Sequence, residues 1–510
     1  EAPRFGLVGK PQIITVRVHD EGGRAGEPID LTVSRNGAQI ARHTARAGAL
    51  VRVQVQVEHA GPNVIELDVA AAPDELTELN NKAVVVIEGV RDKLQVLLVS
   101  GEPHAGERMW RNLLKSDANV DLIHFTILRP PEKRDGTPIS ELSLIAFPTA
   151  DLFGRKIHDF DLIIFDRYSN QTILPPVYFQ NIVRYVRQGG ALMLAVGPDY
   201  ATTDGLFYSP LGLIAPARPT GRLIERPFRT TITDTGARHP VTRDLPGSQS
   251  APPAWSEWFR QVAAETARGN TVMAGADENP ILVLSREGEG RVGLLLSDQI
   301  WLWARGFREG GPHLELLRRV SHWLMKEPEL EEEALRARAQ GSDLTIVRQS
   351  LKDDVPPVTL TAPSGAQQTV ALSPAEPGLS RASVKADELG LYRVTDGTLT
   401  ALVNVGPDNP REFREVVSTT EKLAPLARET GGVVRRIGMA AGEDIVMPRF
   451  AAMRSGVTYG GSDYIGIRRT GASVVTGIGV SPLAIGFLGL LALLGSVLAG
   501  WLWEGRQRRQ

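Results

Sequence analysis

The sequence predicts a multidomain protein: a central α/β domain with a parallel sheet, flanked by two small β-sandwiches, and one transmembrane helix at the carboxyl end. Three observations predict it. Residues 11–90 and 343–405 alternate apolar and polar positions with the two-residue period of half-buried strands. Between them, continuous apolar runs alternate with helical stretches, the pattern of strands covered on both faces and joined by crossover helices. Finally, no charged residue occurs from Thr470 to Trp503, an uncharged length foreign to soluble domains.

Composition narrows the class. At 510 residues the chain holds roughly three or four domains of ordinary size. Its 57 basic and 59 acidic residues nearly cancel, so the basic excess that neutralises phosphates is missing, which argues against nucleic acid as a partner. The chain has no cysteine, which removes disulfides, thiolate metal sites and any cysteine nucleophile. The redox compartment stays open, because oxidising spaces also hold proteins without disulfides. The first residue is Glu1 rather than methionine, as expected of a processed protein or a piece of a longer one.

The elements follow in order. In the first β-sandwich, residues 1–90, the strands are "IITVRVHD", "IDLTVSRNG", "LVRVQVQVEHAG", "NVIELDVAA" and "KAVVVIEG", with Asn80 and Asn81 as turn residues before the last. The α/β domain, 91–330, runs through "KLQVLLVSG", the helix "GERMWRNLLKSD", "DLIHFTIL", "DFDLIIFDRY", the helix "PPVYFQNIVRYVRQGG" and "ALMLAVG". The pair "NPILVLSREGEG" and "GRVGLLLSD" reads as a hairpin extending the sheet, and "PHLELLRRVSHWLMKEP" as a closing helix.

"ELEEEALRARA" predicts a charged linker helix over 331–342, its acidic start and basic end suiting the helix dipole. Residues 343–405 form the second β-sandwich, in which Tyr392 is a packing device of the tyrosine-corner kind. Residues 406–477 hold the helix "STTEKLAPLARETGG" and a juxtamembrane stretch, and the transmembrane helix is placed at 478–503. Its apolar part, Pro482 to Trp503, is about 22 residues, which at ~1.5 Å per residue spans a ~30 Å hydrocarbon core. Trp501 and Trp503 sit where an interfacial belt would. Arg506, Arg508 and Arg509 beyond it outnumber Arg468 and Arg469 before it, which places the tail 504–510 in the cytoplasm and the bulk of the chain outside.

In open parallel sheets, ligands sit at the carboxyl ends of the strands. The candidate ligand cleft there comprises Ser100, Glu102, His104, Arg108, Asp166, Arg167, Asp199, His239 and Asp298. The plainer expectation is that these groups are helix caps and salt bridges. Glu102, His104 and Glu107 lack the spacing of a metal site, so no metal or cofactor is expected. Ser100 and His104 suggest a serine hydrolase, but "VSGEP" lacks the G-x-S-x-G motif. The dense tryptophans Trp255, Trp258, Trp301, Trp303 and Trp323 are read as core rather than as a sugar-stacking platform.

"GGALMLAVGPDY", Gly189 to Tyr200, reads as a buried strand entering a nucleophile elbow. Together with "GVRDKLQVLLVSGEPHAGERMWRNLLKSD", "ELSLIAFPTADLFGRKIHDFDLIIFDRY", "HPVT", "GEGRVGLLLSDQIWLWARGF", "LLRRVSHWLMKEPELEEE" and the closing "WLWEGR", it resembles bacterial membrane proteins carrying a class I glutamine amidotransferase-like domain of the trehalose-utilisation branch. The resemblance implies a flavodoxin-like α/β fold over most of 90–335, an inner-membrane location, and von Willebrand-type and AAA ATPase proteins as partners. It also implies further spans before the first β module in longer members. "DELTELNNKAVVVI" resembles the ending of adhesion-type Ig-like domains of bacterial envelope proteins.

The amidotransferase reaction is not implied, because that family's cysteine position falls at Ala195, whose methyl group can neither attack nor ionise. The expectation is therefore an elbow without its nucleophile, no catalytic residue, and a membrane-anchored envelope protein acting in binding or assembly. Two alternatives stay open. One is a hydrolase or isomerase of a sugar or cell-wall fragment that uses Glu102, His104, Asp199 or His239 as acid and base. The other is a periplasmic ligand sensor.

Overall fold

The computed structural model describes residues 1–19, 28–71, 81–101, 103–126, 148–169, 174–406, 419–437, 445, 447–454, 458–461, 463–469, 472–480, 482 and 486–507. The chain divides into two compact units, Glu1–Val416 and Val417–Gln510.

The first unit begins with a β structure of two sheets, one of five strands and one pairing Pro11–Arg17 with Leu50–Gln56. Period-two alternation sends Ile14, Leu31, Val33, Val53, Val55, Ile65 and Ile87 into one core.

The α/β region follows. Its parallel strands, in chain order, are Leu94–Ser100, Val120–Thr126, Leu162–Asp166, Ala191–Ala195 and Gly290–Leu295. Across the sheet they lie in the order second, first, third, fourth, fifth. This is the flavodoxin-like doubly wound order, whose topological switch point lies between the first and third strands. Helices Ala105–Ser116 and His313–Leu324 cover one face, packing Trp110, Leu113, Leu317 and Val320 on Val96, Leu98 and Ile164. Helix Pro176–Arg187 covers the other, with Phe179, Ile182 and Val186 against Leu97, Val99 and Ile163. The expected hairpin forms, Pro280–Glu287 pairing antiparallel with Gly290–Leu295. The sheet also continues into Asn270–Ala274 and Thr231–Ile232, two short strands that carry little local pattern. The tryptophans are core: Trp258 and Trp303 are fully buried with ring centres 4.8 Å apart, and Trp255 packs on Trp303 at 5.4 Å.

The linker helix expected over 331–342 is corrected. Ala334–Gln340 is a strand paired antiparallel with Asp343–Gln349, and the acidic run before it is a set of pins. Glu331 bonds Arg286 and Arg291, Glu332 bonds Arg286 and His239, and Glu333 bonds Arg348 and Ser350. The full antiparallel ladder with Asp343–Gln349 and these ion pairs outweigh the local helix propensity. The second β structure thus begins at Ala334 and contains two four-stranded sheets around Leu344, Ile346, Val358, Leu360, Tyr392 and Val394. The Tyr392 hydroxyl donates to the Glu388 carbonyl at 3.1 Å and accepts from the Glu388 N–H at 3.0 Å, which closes the corner the sequence suggests.

The second unit contains helix Ala424–Glu429, the parallel pair Arg449–Met453 and Tyr464–Arg468, and one 22-residue apolar helix, Gly486–Gln507, with no buried residue. That helix starts later than the expected 478, after Pro482 and at Gly486, whose φ of 76° is a left-handed conformation glycine adopts without strain.

Candidate functional site

Register brings the ends of the five parallel strands into one row. Thr126 lies opposite Ser100, Ser100 opposite Asp166, Asp166 opposite Ala195 and Ala195 opposite Leu295. Register partners in a parallel sheet share a face, so these side chains all point toward the face covered by helix Ala105–Ser116. Immediately past the row the first and third strands nearly touch. A Cβ on Gly101 would stand 2.2 Å from the Arg167 carbonyl oxygen, so only glycine fits there.

Two polar groups occupy this end of the sheet. In the first, His104 caps helix Ala105–Ser116: its Nδ1 accepts the Gly106 N–H at 3.1 Å. That bond puts the ring proton on Nε2, which donates to Asp166 Oδ2 at 2.7 Å. The Asp166 carboxyl is fully buried. Burial pushes its pKa upward, against the opposing pull of the His104 bond and of Arg167. The pair links the loop after the first strand to the end of the third.

Beside it, Thr126 Oγ1 donates to Glu107 Oε1 at 2.7 Å, and His124 Nε2 lies 3.2 Å from Thr126 Oγ1 and 3.3 Å from Ser100 Oγ. With the threonine proton engaged, its oxygen accepts from Nε2–H, leaving that nitrogen no lone pair with which to take a proton from Ser100. Glu107 faces the same Nε2 at 3.7 Å, whereas a hydrolase triad needs its carboxylate on the other ring nitrogen. Burial holds His124 below the usual histidine pKa despite Glu107.

The second group holds Asp298, 7% exposed, which accepts from Arg260 at 2.7 and 3.4 Å and lies 3.5 Å from Arg167 Nε. The Arg167 side chain lies over Gly197, where a Cβ would meet its Nε at 3.1 Å. The expected nucleophile elbow is corrected. Ala195 ends its strand, Gly197 is extended with φ −111°, and a short 3-10 turn, Pro198–Ala201, follows in place of a helix. The left-handed non-glycine residue at this end of the sheet is Arg167, with φ 46°. Pro198 opens that short turn, and none of Ala195, Val196 and Gly197 has the left-handed φ of the strained strand-to-helix bend that the elbow requires.

Of the candidate residues, Ser100, His104, Asp166, Arg167 and Asp298 meet at the switch point. Arg108 is exposed on helix Ala105–Ser116, and Asp199 is half-buried in the turn after the fourth strand. Glu102 lies outside the described residues. His239 does not join the cleft. It is fully buried, bonds Glu332 at 3.2 Å and packs on Trp323 at 5.7 Å. This pins it through Arg286 to the row of Arg291, four residues before the carboxyl end of the fifth strand. His124, Thr126 and Arg260 were not singled out in the sequence. A histidine at the period of Leu122 and Thr126 was a faint signal, whereas Arg260 pairs 38 residues away and had none. A cleft of about 480 Å³ lies at the opposite end of the domain, between helices Ala105–Ser116 and His313–Leu324, lined by Leu113, Asp117, Asn119, Leu314, His322 and Met325.

No family model and no curated protein matches the sequence. Among solved structures, the chain is similar to the cytoplasmic protein STM1381 of Salmonella typhimurium LT2, at 15% identity and a TM-score of 0.34, over 45% of this chain and 99% of that one. A second Salmonella typhimurium cytoplasmic protein, STM3548, matches over the same shares at 14% and 0.34. The β-galactosidase of Bacillus circulans sp. alkalophilus matches at 11% and 0.28, over 58% of this chain and 42% of that one. Likeness at this level concerns the fold, and no activity is carried over from it.

Proposed function

We propose that the chain is a membrane-anchored envelope protein whose central amidotransferase-like domain is catalytically silent and serves binding or assembly between Ig-like β modules. One observation carries the reading: the polar groups at the switch point are spent on one another. His104 caps a helix and bonds Asp166, Asp298 is held by two arginines, and the row position beside Asp166 is Ala195. A catalytic acid or base keeps an open side toward substrate, and none of these pairings leaves one. The exposed apolar helix Gly486–Gln507 supports the anchor. The partners are expected among extracytoplasmic or membrane-bound proteins, ATPase-linked ones included.

The test is thermal unfolding of the full chain with glutamine, sugars, cell-wall fragments and divalent ions. The expected result is no stabilisation by any of them. A stabilisation abolished by both His104→Ala and Asp298→Asn would favour an enzyme or a sensor instead.

A further inference from the structure

The second unit presents a two-stranded sheet with one apolar face exposed. Strands Arg449–Met453 and Tyr464–Arg468 pair in parallel, with Phe450 opposite Ile465 and Ala452 opposite Ile467. The two-residue period puts these four on one face. Phe450 is 61% and Ile467 56% exposed, and Ile445 and Met447 just upstream are exposed as well. The same period carried one step further ends the two rows on Arg454 and Arg469, both exposed. Between Ile445 and Arg469 the sequence holds four arginines and a single acid, Asp463. From Thr470 to the apolar helix there is no charge at all, and Val474, Val475, Ile478 and Val480 in that connection are exposed.

We propose that this face lies on the surface of the bilayer beside the point where helix Gly486–Gln507 enters it. Phe450, Ala452, Ile465 and Ile467 rest at the headgroup boundary, and the arginines rest on anionic headgroups. The proposal builds on the reading of that helix as a span. Three features select a lipid surface as the occupant. The charges that end the two rows, Arg454 and Arg469, are positive, and the one acid, Asp463 at the start of the second row, is paired with Arg449 at 3.5 Å, so the net charge is that which an anionic surface attracts. The connection to the helix is apolar and uncharged, unlike a solvated linker. At ~3.5 Å per extended residue it also keeps the sheet within about 60 Å of the span, so the membrane is always in reach.

The absence of native cysteine permits a direct test. Single variants Phe450→Cys, Ile467→Cys, Leu494→Cys and Ile13→Cys of the full chain are labelled with an environment-sensitive dye. They are then reconstituted in phosphatidylcholine nanodiscs, with and without phosphatidylglycerol, containing a lipid quencher near the headgroup. The expected result is roughly twofold quenching at 450 and 467 with anionic lipid. That quenching weakens in high salt and in the Arg454→Glu/Arg469→Glu background, while position 13 stays unquenched. Quenching at 494 without any at 450 and 467 overturns the proposal and leaves the span intact. Quenching at none of the three overturns both. A dye shift at 450 and 467 that follows protein concentration rather than lipid assigns the face to a second copy of the chain and also overturns the proposal.

Discussion

Replacing His104 by alanine separates a structural switch point from a chemical one. The substitution removes a helix N-cap, worth ~1 kcal/mol. It also strips the donor from the fully buried Asp166 carboxyl, and breaking a buried pair from one side typically costs ~3–5 kcal/mol. Burial pushes the Asp166 pKa upward and loss of the His104 donor removes an opposing pull, so proton uptake by the variant offsets part of that cost, and a total of about 4 kcal/mol is expected. For a region of this size that lowers Tm by roughly 8–16 °C. Asp166→Asn keeps an acceptor for His104 Nε2–H and strands only its new amide donors, so about 1–3 kcal/mol is expected. Tryptophan fluorescence follows the transition in the full chain, because Trp110, Trp255, Trp258, Trp301, Trp303 and Trp323 all belong to the α/β region. Groups held for catalysis are commonly strained, and removing them commonly leaves a protein as stable or more so. A His104→Ala variant as stable as its parent would therefore refute the closed-site reasoning.

Three further outcomes are expected. Burial alone would raise the pKa of Asp396, but hydrogen bonds from the Leu399 and Thr398 N–H groups, the Thr398 hydroxyl and Arg348 outweigh it and hold the carboxyl at about 2. The stability this carboxylate contributes is complete above its unfolded value of 3.8 and is lost as pH falls toward 2. Acid unfolding followed by circular dichroism should show that loss, and Asp396→Asn should flatten it. Glu332→Ala breaks a buried pin shared by His239 and Arg286 and is expected to cost ~3 kcal/mol or more. Proteolysis around 328–341 should be faster than in the exposed-site control Glu329→Ala. Ala195→Cys places a thiol at a buried strand end that runs into the extended Gly197 rather than into a left-handed turn. Alkylation by iodoacetamide should be slower than that of free cysteine, and a fast-reacting thiol would mean an activating environment exists there.

The legible parts of the fold were those with long, uniform patterns. The runs at 94–100, 162–166 and 191–195 read as strands covered on both faces because all their positions but Gln95 and the terminal Ser100 and Asp166 are apolar, and the helices between them had unambiguous periods. Residues 331–342 misled because local charge order favours a helix, while the deciding partners, Arg286, Arg291, His239 and Arg348, come from other elements. The site shows the same limit. Ser100, His104 and Asp166 stood out because strand ends are predictable, but their meeting depends on the strand order. His239 was drawn in by residue type alone, and nothing in "ARHPVTRD" told which end of the sheet it would reach.

The placement of buried charge bears on the proposal that the switch point is a joint. A site that has lost its nucleophile but kept a ligand would retain unpaired polar groups facing a cavity, because each such group is costly to bury unless a ligand satisfies it. Here the loop after the first strand is tied to the end of the third by His104 and Asp166. The loop after the fifth strand is tied by Asp298 to Arg260 and Arg167, and by the Ser297 hydroxyl to the Arg260 carbonyl. The far end is tied to the second β structure through Glu331, Glu332 and Glu333. Buried ion pairs of this kind add little net stability, since desolvation offsets most of their attraction, but misplacing either partner is penalised heavily. Their effect is to fix geometry. A domain whose charges fix its loops and its neighbouring module is suited to presenting surfaces at constant spacing, which is what the proposed assembly role requires.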